Sequence, residues 1–308
     1  MSDPISTYYA NGKLLLSGEY FVLHGAKALA LPLTVGQQLR VYHEVPSNSI
    51  LWKAFYGDEI WFWCELNPDD FSVIGTSDQE KAATLSQIFQ TIADLNPLHL
   101  PEAGDILETS LDAHPQWGFG SSSTLISVLS QRCRVDPYML NRKIFNGSGF
   151  DIACAMAKGP ILYLKDKLVK RITLDYPFAE QLLLVYSGKK KKTSPEVHAF
   201  LKRKKGSIAL IQEVSDLADE FSLCRDQHTF NRIIRHHEKL VAGLLGQIPV
   251  KEELFPDFQG EVKSLGAWGG DFYLVSGTQP FNEVKIYFEN KGFSTIFKWT
   301  ELILKPVS

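Results

Sequence analysis

The chain is poor in cysteine, with four in 308 residues (Cys64, Cys133, Cys154 and Cys224), and no two form a C-x-x-C pair. That pattern speaks against a disulfide framework or a cysteine zinc site and fits reduced thiols in a cytoplasmic protein. Long apolar runs are missing as well. The runs at 182–186 and 241–245 are core-sized, far short of the roughly 18 residues of a membrane span. The opening residues Met1-Ser2-Asp3-Pro4 lack the basic-then-apolar layout of a secretion signal. Charge of one sign is not in excess: 32 Lys and Arg against 35 Asp and Glu leave a net charge of −3, no footprint of a general nucleic-acid binder. Neither H-E-x-x-H nor G-x-x-x-x-G-K-[S/T] occurs, so the common helical zinc site and the Walker A loop are both excluded.

What is present is an ordinary globular balance, 44% hydrophobic and 22% charged, in a chain long enough for about two domains. The first third reads as strands at 13–22, 38–44, 50–55 and 59–66, broken by turn signals at Pro46-Ser47-Asn48 and Tyr56-Gly57-Asp58. Then the period lengthens. Ala82, Leu85, Ile88, Phe89, Ile92 and Ala93 recur at helical spacing over 77–95, with Ser77 or Asp78 as the cap. A strand at 105–111, a helix at 121–132 and a short buried helix at 151–157 follow. In the second half, 181–186 is a strand, Ser194-Pro195-Glu196 a helix start and 230–245 an amphipathic helix, and 272–275 and 284–288 are expected strands. Mixed elements in both halves mean α+β or α/β, with a break near 165–180.

Three segments carry chemistry. Between a strand and a helix lies Asp112-Ala113-His114-Pro115-Gln116-Trp117-Gly118-Phe119-Gly120-Ser121-Ser122-Ser123. Its glycines bare backbone N–H groups, and the serines stand where the helix dipole begins, which suits a phosphate. A capped helix after a flexible turn explains part of this, but three serines exceed what capping needs. In Asn11-Gly12-Lys13-Leu14-Leu15-Leu16-Ser17-Gly18-Glu19-Tyr20, Lys13 heads an apolar strand and is either solvated or aimed at an anion. In Asn146-Gly147-Ser148-Gly149-Phe150-Asp151, Asp151 is either a helix cap or a carboxylate that takes or orients a hydroxyl proton.

The lysine strand ending Gly18-Glu19, the P-x-x-G-F-G-S-S-S loop at 115–123 and the late Gly266-Ala267-Trp268-Gly269-Gly270-Asp271 together resemble the GHMP kinases (galactokinase, homoserine kinase, mevalonate kinase and phosphomevalonate kinase). The motifs span essentially the whole chain. The resemblance implies an α+β fold of two domains, an N-terminal half like ribosomal protein S5 domain 2 (1–172) and a ferredoxin-like C-terminal half (173–308). It implies ATP and Mg²⁺ as cofactors. Gly118, Gly120, Ser121, Ser122 and Ser123 would wrap the ATP phosphates, with Ser122 on the metal, and Gly266, Gly269 and Gly270 would line the site. Lys13 and Asp151 would be catalytic at the acceptor hydroxyl. Glu19, His24 and Ser148, with Lys189, Lys190 and Ser194 of the basic run, would face the substrate.

Within that family, Gly18-Glu19-Tyr20, Ser148-Gly149-Phe150-Asp151 and Gly269-Gly270-Asp271 are similar to phosphomevalonate kinases, and His24-Gly25 to mevalonate kinases. The implied acceptor is mevalonate or 5-phosphomevalonate, placing the chain in isoprenoid biosynthesis. Two departures stand out: Trp268 replaces a small residue, and 138–150 holds no acidic residue to serve as a second metal ligand. The lysines at 189–192, with Lys202-Arg203-Lys204-Lys205, are either a solvated loop or a clamp for an anionic small molecule. The expected partner is such a substrate, with no nucleic acid and no membrane, for a monomer or homodimer. Diphosphomevalonate decarboxylase shares the implied fold, and a non-catalytic module binding through the basic patch is the rival from another class. His228, His236 and His237 read as exposed or capping, and Trp52, Trp61, Phe62 and Trp63 as sheet packing.

Overall fold

The computed structural model describes residues 3–189, 208–266 and 270–306. The chain divides into two compact units: Met1–Gly12, Val35–Pro115 and Phe119–Met156 form the first, and Lys13–Thr34, Gln116–Gly118 and Ala157–Ser308 the second. Compared with the expected break near 165–180, the second unit begins earlier, after Met156, and also takes in Lys13–Thr34. Among the described residues, no helix is long and apolar enough to cross a membrane. All four cysteines are buried, and none is in a disulfide.

The first unit is built on β1 (Ser6–Ser17) as far as Gly12, β2 (Ala28–His43) from Val35 onward, β3 (Ile50–Tyr56), β4 (Glu59–Leu66), β5 (Val73–Thr76) and β6 (Asp105–Leu111). Their order is β5-β4-β3-β6-β2, with β1 also paired to β2, and β3 runs parallel to β6. Residues of β3 and β6 alternate between buried and half-buried, so the sheet covers a core on one face only. Helices α1 (Gln79–Leu95), α2 (Ser121–Cys133), α3 (Pro137–Ile144) and α4 (Phe150–Ala155) fill that face. Trp52, Phe62 and Leu107 of the sheet meet Phe89, Ile126 and Ile152 there. For α1 the cap is Asp78, whose carboxylate accepts from Lys81 N at 3.1 Å. Trp52 and Phe62 do pack the core, whereas Trp61 and Trp63 lie on the exposed face, because side chains alternate along β4.

In the second unit, the start of β2 pairs with β7 (Ile161–Leu164), which forms a hairpin with β8 (Leu168–Arg171). A separate antiparallel sheet has the order β10-β11-β9-β12, from β9 (Leu182–Tyr186), β10 (Gly260–Leu265), β11 (Phe272–Gly277) and β12 (Ile296–Lys298). Its helices are α5 (Ile208–Leu223), α6 (Gln227–Leu245), α7 (Val250–Leu254), α8 (Phe281–Asn290) and α9 (Trp299–Leu302). Val284–Phe288, expected as a strand, lies inside α8. Pro280 at the N-cap and Glu283 in the first turn start the helix, and Val284 and Phe288, one turn apart, are its buried pair. His237 is also corrected. It is fully buried, because α6 turns it inward beside Ile233, Ile234 and Val241, while its neighbour His236 stays exposed and meets Glu213 at 2.8 Å.

Candidate active site

The serine loop is fixed at both ends. At its start, Asp112 accepts from the Tyr9 hydroxyl at 2.7 Å and from Gly36 N at 2.9 Å. At its end, Gly120 caps α2 in the left-handed region (φ 88°) and brings no side chain to the first-turn N–H groups. The three serines divide their work. Ser123 is buried and donates to Gly120 O at 2.7 Å, so its hydroxyl serves the helix itself. Ser121 is half-buried and Ser122 is exposed at the helix N-terminus. Beside them, a small cleft in the first unit is lined by Gly12, Gly36, His114, Phe119, Ser121 and Thr124, among others.

Gly118 and the third motif come together. A Cβ on Gly118 (φ +74°) would stand 2.5 Å from the Asp271 carboxyl carbon, and one on Gly266 (φ +83°) 2.5 Å from Asp271 Oδ2. The positive φ favours glycine at both places, and a Cβ at either would have to displace the Asp271 side chain. Asp271 is itself fixed by its backbone, donating to Lys189 O at 3.1 Å while its carbonyl accepts from Ser187 N at 2.9 Å. Gly270 precedes it. Lys189 is exposed, and its carbonyl also accepts from the Ser187 hydroxyl. Lys190, Ser194 and Gly269 lie outside the described residues, as do Trp268 and the rest of the basic run.

Lys13 is half-buried on β1, held by the fully packed Leu14, Leu15 and Leu16 that follow it. It belongs to the second unit and Asp151 to the first. Asp151 is half-buried in the first turn of α4, and Gly149 (φ 88°), not Asp151, occupies the cap position. Ser148 is buried just before it. His24 ends a short 3-10 turn, Phe21–His24, that packs through Phe21 on Val214 of α5 and Val241 of α6. Its Nε2 is buried and finds no hydrogen-bond partner among the described residues.

Glu19 is 4% exposed, and its Oε1 accepts from Lys263 Nζ at 2.5 Å. The same ammonium donates to Ser264 O at 2.9 Å and lies 3.6 Å from Glu238 Oε1. His237 Nε2 is 3.2 Å from Glu19 Oε2 and accepts from Gly18 N at 3.2 Å. The cluster anchors the turn that ends the lysine strand. Burial pushes the acid of Glu19 above the usual carboxylate range, against the pull of Lys263. It also holds His237 well below an ordinary histidine, with Lys263 acting in the same direction, so the imidazole is neutral. Glu238 is pushed up to about 8 by burial, opposed by Lys263 and reinforced by the charge of Glu19. No sequence motif marked this cluster. Its signal was a single lysine inside the otherwise sheet-like run Gly260–Leu265.

The Glu238 shift has a consequence for stability. The folded protein keeps this proton to about pH 8, while the unfolded chain releases it near pH 4.5. Between those values the unfolded state binds fewer protons, so this group's contribution falls as pH rises. Glu238→Gln is expected to flatten that decline in urea midpoints measured from pH 5 to 8.5. Equal slopes in the variant and the wild type would show that Glu238 ionises normally.

No protein-family model matches the chain, and no curated protein matches it in sequence. Its fold does match solved structures, and the class they define is the GHMP kinase fold. Mevalonate kinase from Methanococcus jannaschii aligns at 19% identity and a TM-score of 0.69, over 95% of this chain and 96% of that one. Mevalonate kinase from L. major, solved with R-mevalonate, aligns at 18% and 0.66 over 100% of both. Phosphomevalonate kinase from Streptococcus pneumoniae, solved with phosphomevalonate and AMPPNP, aligns at 16% and 0.66, over 97% and 98%. The chain therefore has the two-sheet α+β architecture of these kinases along nearly its whole length.

Proposed function

We propose that the protein is an ATP-dependent small-molecule kinase that moves the γ-phosphoryl group of ATP to the hydroxyl of an anionic acceptor, mevalonate or 5-phosphomevalonate. The observation that carries this reading is the start of α2, where Gly120 at the N-cap leaves the first-turn N–H groups without a side-chain cap. Two glycine motifs far apart in sequence also meet on one carboxylate, that of Asp271, which occupies the space a Cβ would take at Gly118 and at Gly266. The residues fit a magnesium nucleotide: Ser122 offers an exposed hydroxyl at the uncapped start of α2, and the first-turn N–H groups favour negative charge. Mg²⁺, when bound, would neutralise charge on the phosphates.

The chain's own residues supply the rest. Gly118, Gly120, Ser121 and Ser122 bind the phosphates, Ser123 through its backbone N–H, and Gly266, Gly269 and Gly270 are assigned to the same ligand. Lys13 and Asp151 act at the acceptor. Asp151 takes the hydroxyl proton as the acceptor oxygen bonds to the γ-phosphorus and the bond to the ADP oxygen breaks, and Lys13 balances the charge. His24, whose buried Nε2 finds no partner among the described residues, together with Ser148, Lys189, Lys190 and Ser194, binds the polar and anionic groups of the acceptor. Glu19 acts on that side through Lys263 and the turn that follows the lysine strand.

The test is ADP release over mevalonate, 5-phosphomevalonate, diphosphomevalonate, galactose and homoserine, with product analysis. Release of ADP with one of the first two supports the assignment. Carbon dioxide from diphosphomevalonate would make the protein a decarboxylase, and silence over the whole panel would remove the mevalonate-class reading. Ser122→Ala is expected to lower turnover at least about 10²-fold at saturating Mg·ATP, with the fold retained. Unchanged turnover would take Ser122 out of the metal site.

A further inference from the structure

Trp117 has no task in the phosphate-loop reading, yet it is anchored among three aromatic rings. Gln116–Gly118 groups with the second unit, although the chain on both sides of it belongs to the first. The indole is half-buried against three rings of the four-stranded sheet. Its centroid lies 5.2 Å from Phe297 of β12, 6.2 Å from Tyr186 of β9 and 6.5 Å from Phe272 of β11, with the Phe297 and Phe272 contacts edge-on. These are the separations at which aromatic pairs attract. The rings also support one another, Tyr186 and Phe272 at 5.4 Å and Phe272 and Phe297 at 6.1 Å. The Tyr186 hydroxyl reaches Gln116 O at 3.5 Å. Immediately after the indole, Gly118 rests on the Asp271 carboxylate.

A loop carrying two glycines at positive φ has many conformations to lose when a ligand orders it. Fixing it beforehand removes that cost from binding. We propose that Trp117 is a positioning residue: seated among Phe297, Tyr186 and Phe272, it holds Gly118 against Asp271 and so pre-sets the phosphate loop for a nucleoside triphosphate. The inference rests on the nucleotide reading above. Its weight falls on affinity for the nucleotide and not on the acceptor. A ring of any kind at 117 keeps the contacts, and a methyl group does not.

The experiment is calorimetric titration of Mg·AMPPNP into the wild type, Trp117→Phe and Trp117→Ala, with KM for ATP and for the best acceptor measured alongside. The wild type binds; no binding by it would overturn the nucleotide reading and this inference with it. Trp117→Ala is expected to raise Kd at least about tenfold and the ATP KM in step, leaving the acceptor KM within about threefold. Trp117→Phe is expected to stay within about threefold of wild type throughout. If the wild type binds and Trp117→Ala binds within twofold of it, the positioning role is overturned and the nucleotide reading stands. Should Trp117→Ala not fold, Gly118→Ala displaces the same loop from Asp271 and is expected to show the same tenfold loss. Wild-type affinity in that variant would equally overturn the proposal.

Discussion

Asp151→Asn is expected to lower kcat by roughly 10²–10⁴-fold while the protein stays folded. Asparagine keeps the shape of the side chain but cannot accept the hydroxyl proton that the proposed mechanism assigns to Asp151. The cap of α4 is Gly149, and Asp151 sits one residue inside the first turn, so the substitution leaves the cap in place. Losing a negative charge there costs about 0.3–1 kcal/mol of helix-dipole interaction, too little to unfold a domain. Nucleotide affinity is expected to persist, since it is assigned to the glycine and serine segments. Lys13→Met is expected to act on the same step, so the double variant should lose much less than the product of the single losses. The measurement is steady-state kinetics with the best acceptor of the panel, paired with calorimetric nucleotide binding. Near-normal kcat in Asp151→Asn would remove the carboxylate from the chemistry and the mechanism with it.

The architecture was legible where one period dominated. The strands Glu59–Leu66 and Asp105–Leu111 coincide with the runs expected, and α1 follows its apolar spacing with Asp78 as the cap. Apolar spacing alone was ambiguous at Val284–Phe288, where five residues suit either a strand or a single helical turn and Pro280 decides. The motifs marked the segments, but the division of labour inside them came from three dimensions. Three adjacent serines look equivalent in sequence; helix geometry turns Ser123 inward and leaves Ser122 exposed. Asp271 read as the end of a glycine motif, and its contact with Gly118 depends on which strands are neighbours. His236 and His237 differ by one position, and about 100° of helix rotation puts one in solvent and the other in the core.

Lys263→Met is expected to be the most destabilising of these substitutions, by about 3–5 kcal/mol. The ammonium is 1% exposed and is the only cation within reach of the two carboxyl groups it holds, Glu19 at 2.5 Å and Glu238 at 3.6 Å, among the described residues. Methionine fills a similar volume, so the loss is electrostatic: a buried carboxylate is left without its counter-charge. Glu19 then stays protonated in the folded state to a higher pH than it already does, because burial is no longer opposed. Its folded state binds the proton and its unfolded state releases it above the ordinary carboxylate range, so the variant's deficit should grow as pH rises from 5 to 8. Adding Glu19→Gln removes the charge that needed Lys263 and is expected to return part of the lost stability and most of the added pH dependence. Urea unfolding of both single variants and the double variant closes the cycle. A loss below about 1 kcal/mol in Lys263→Met, or strictly additive losses in the double variant, would show that the pair does not hold this turn together.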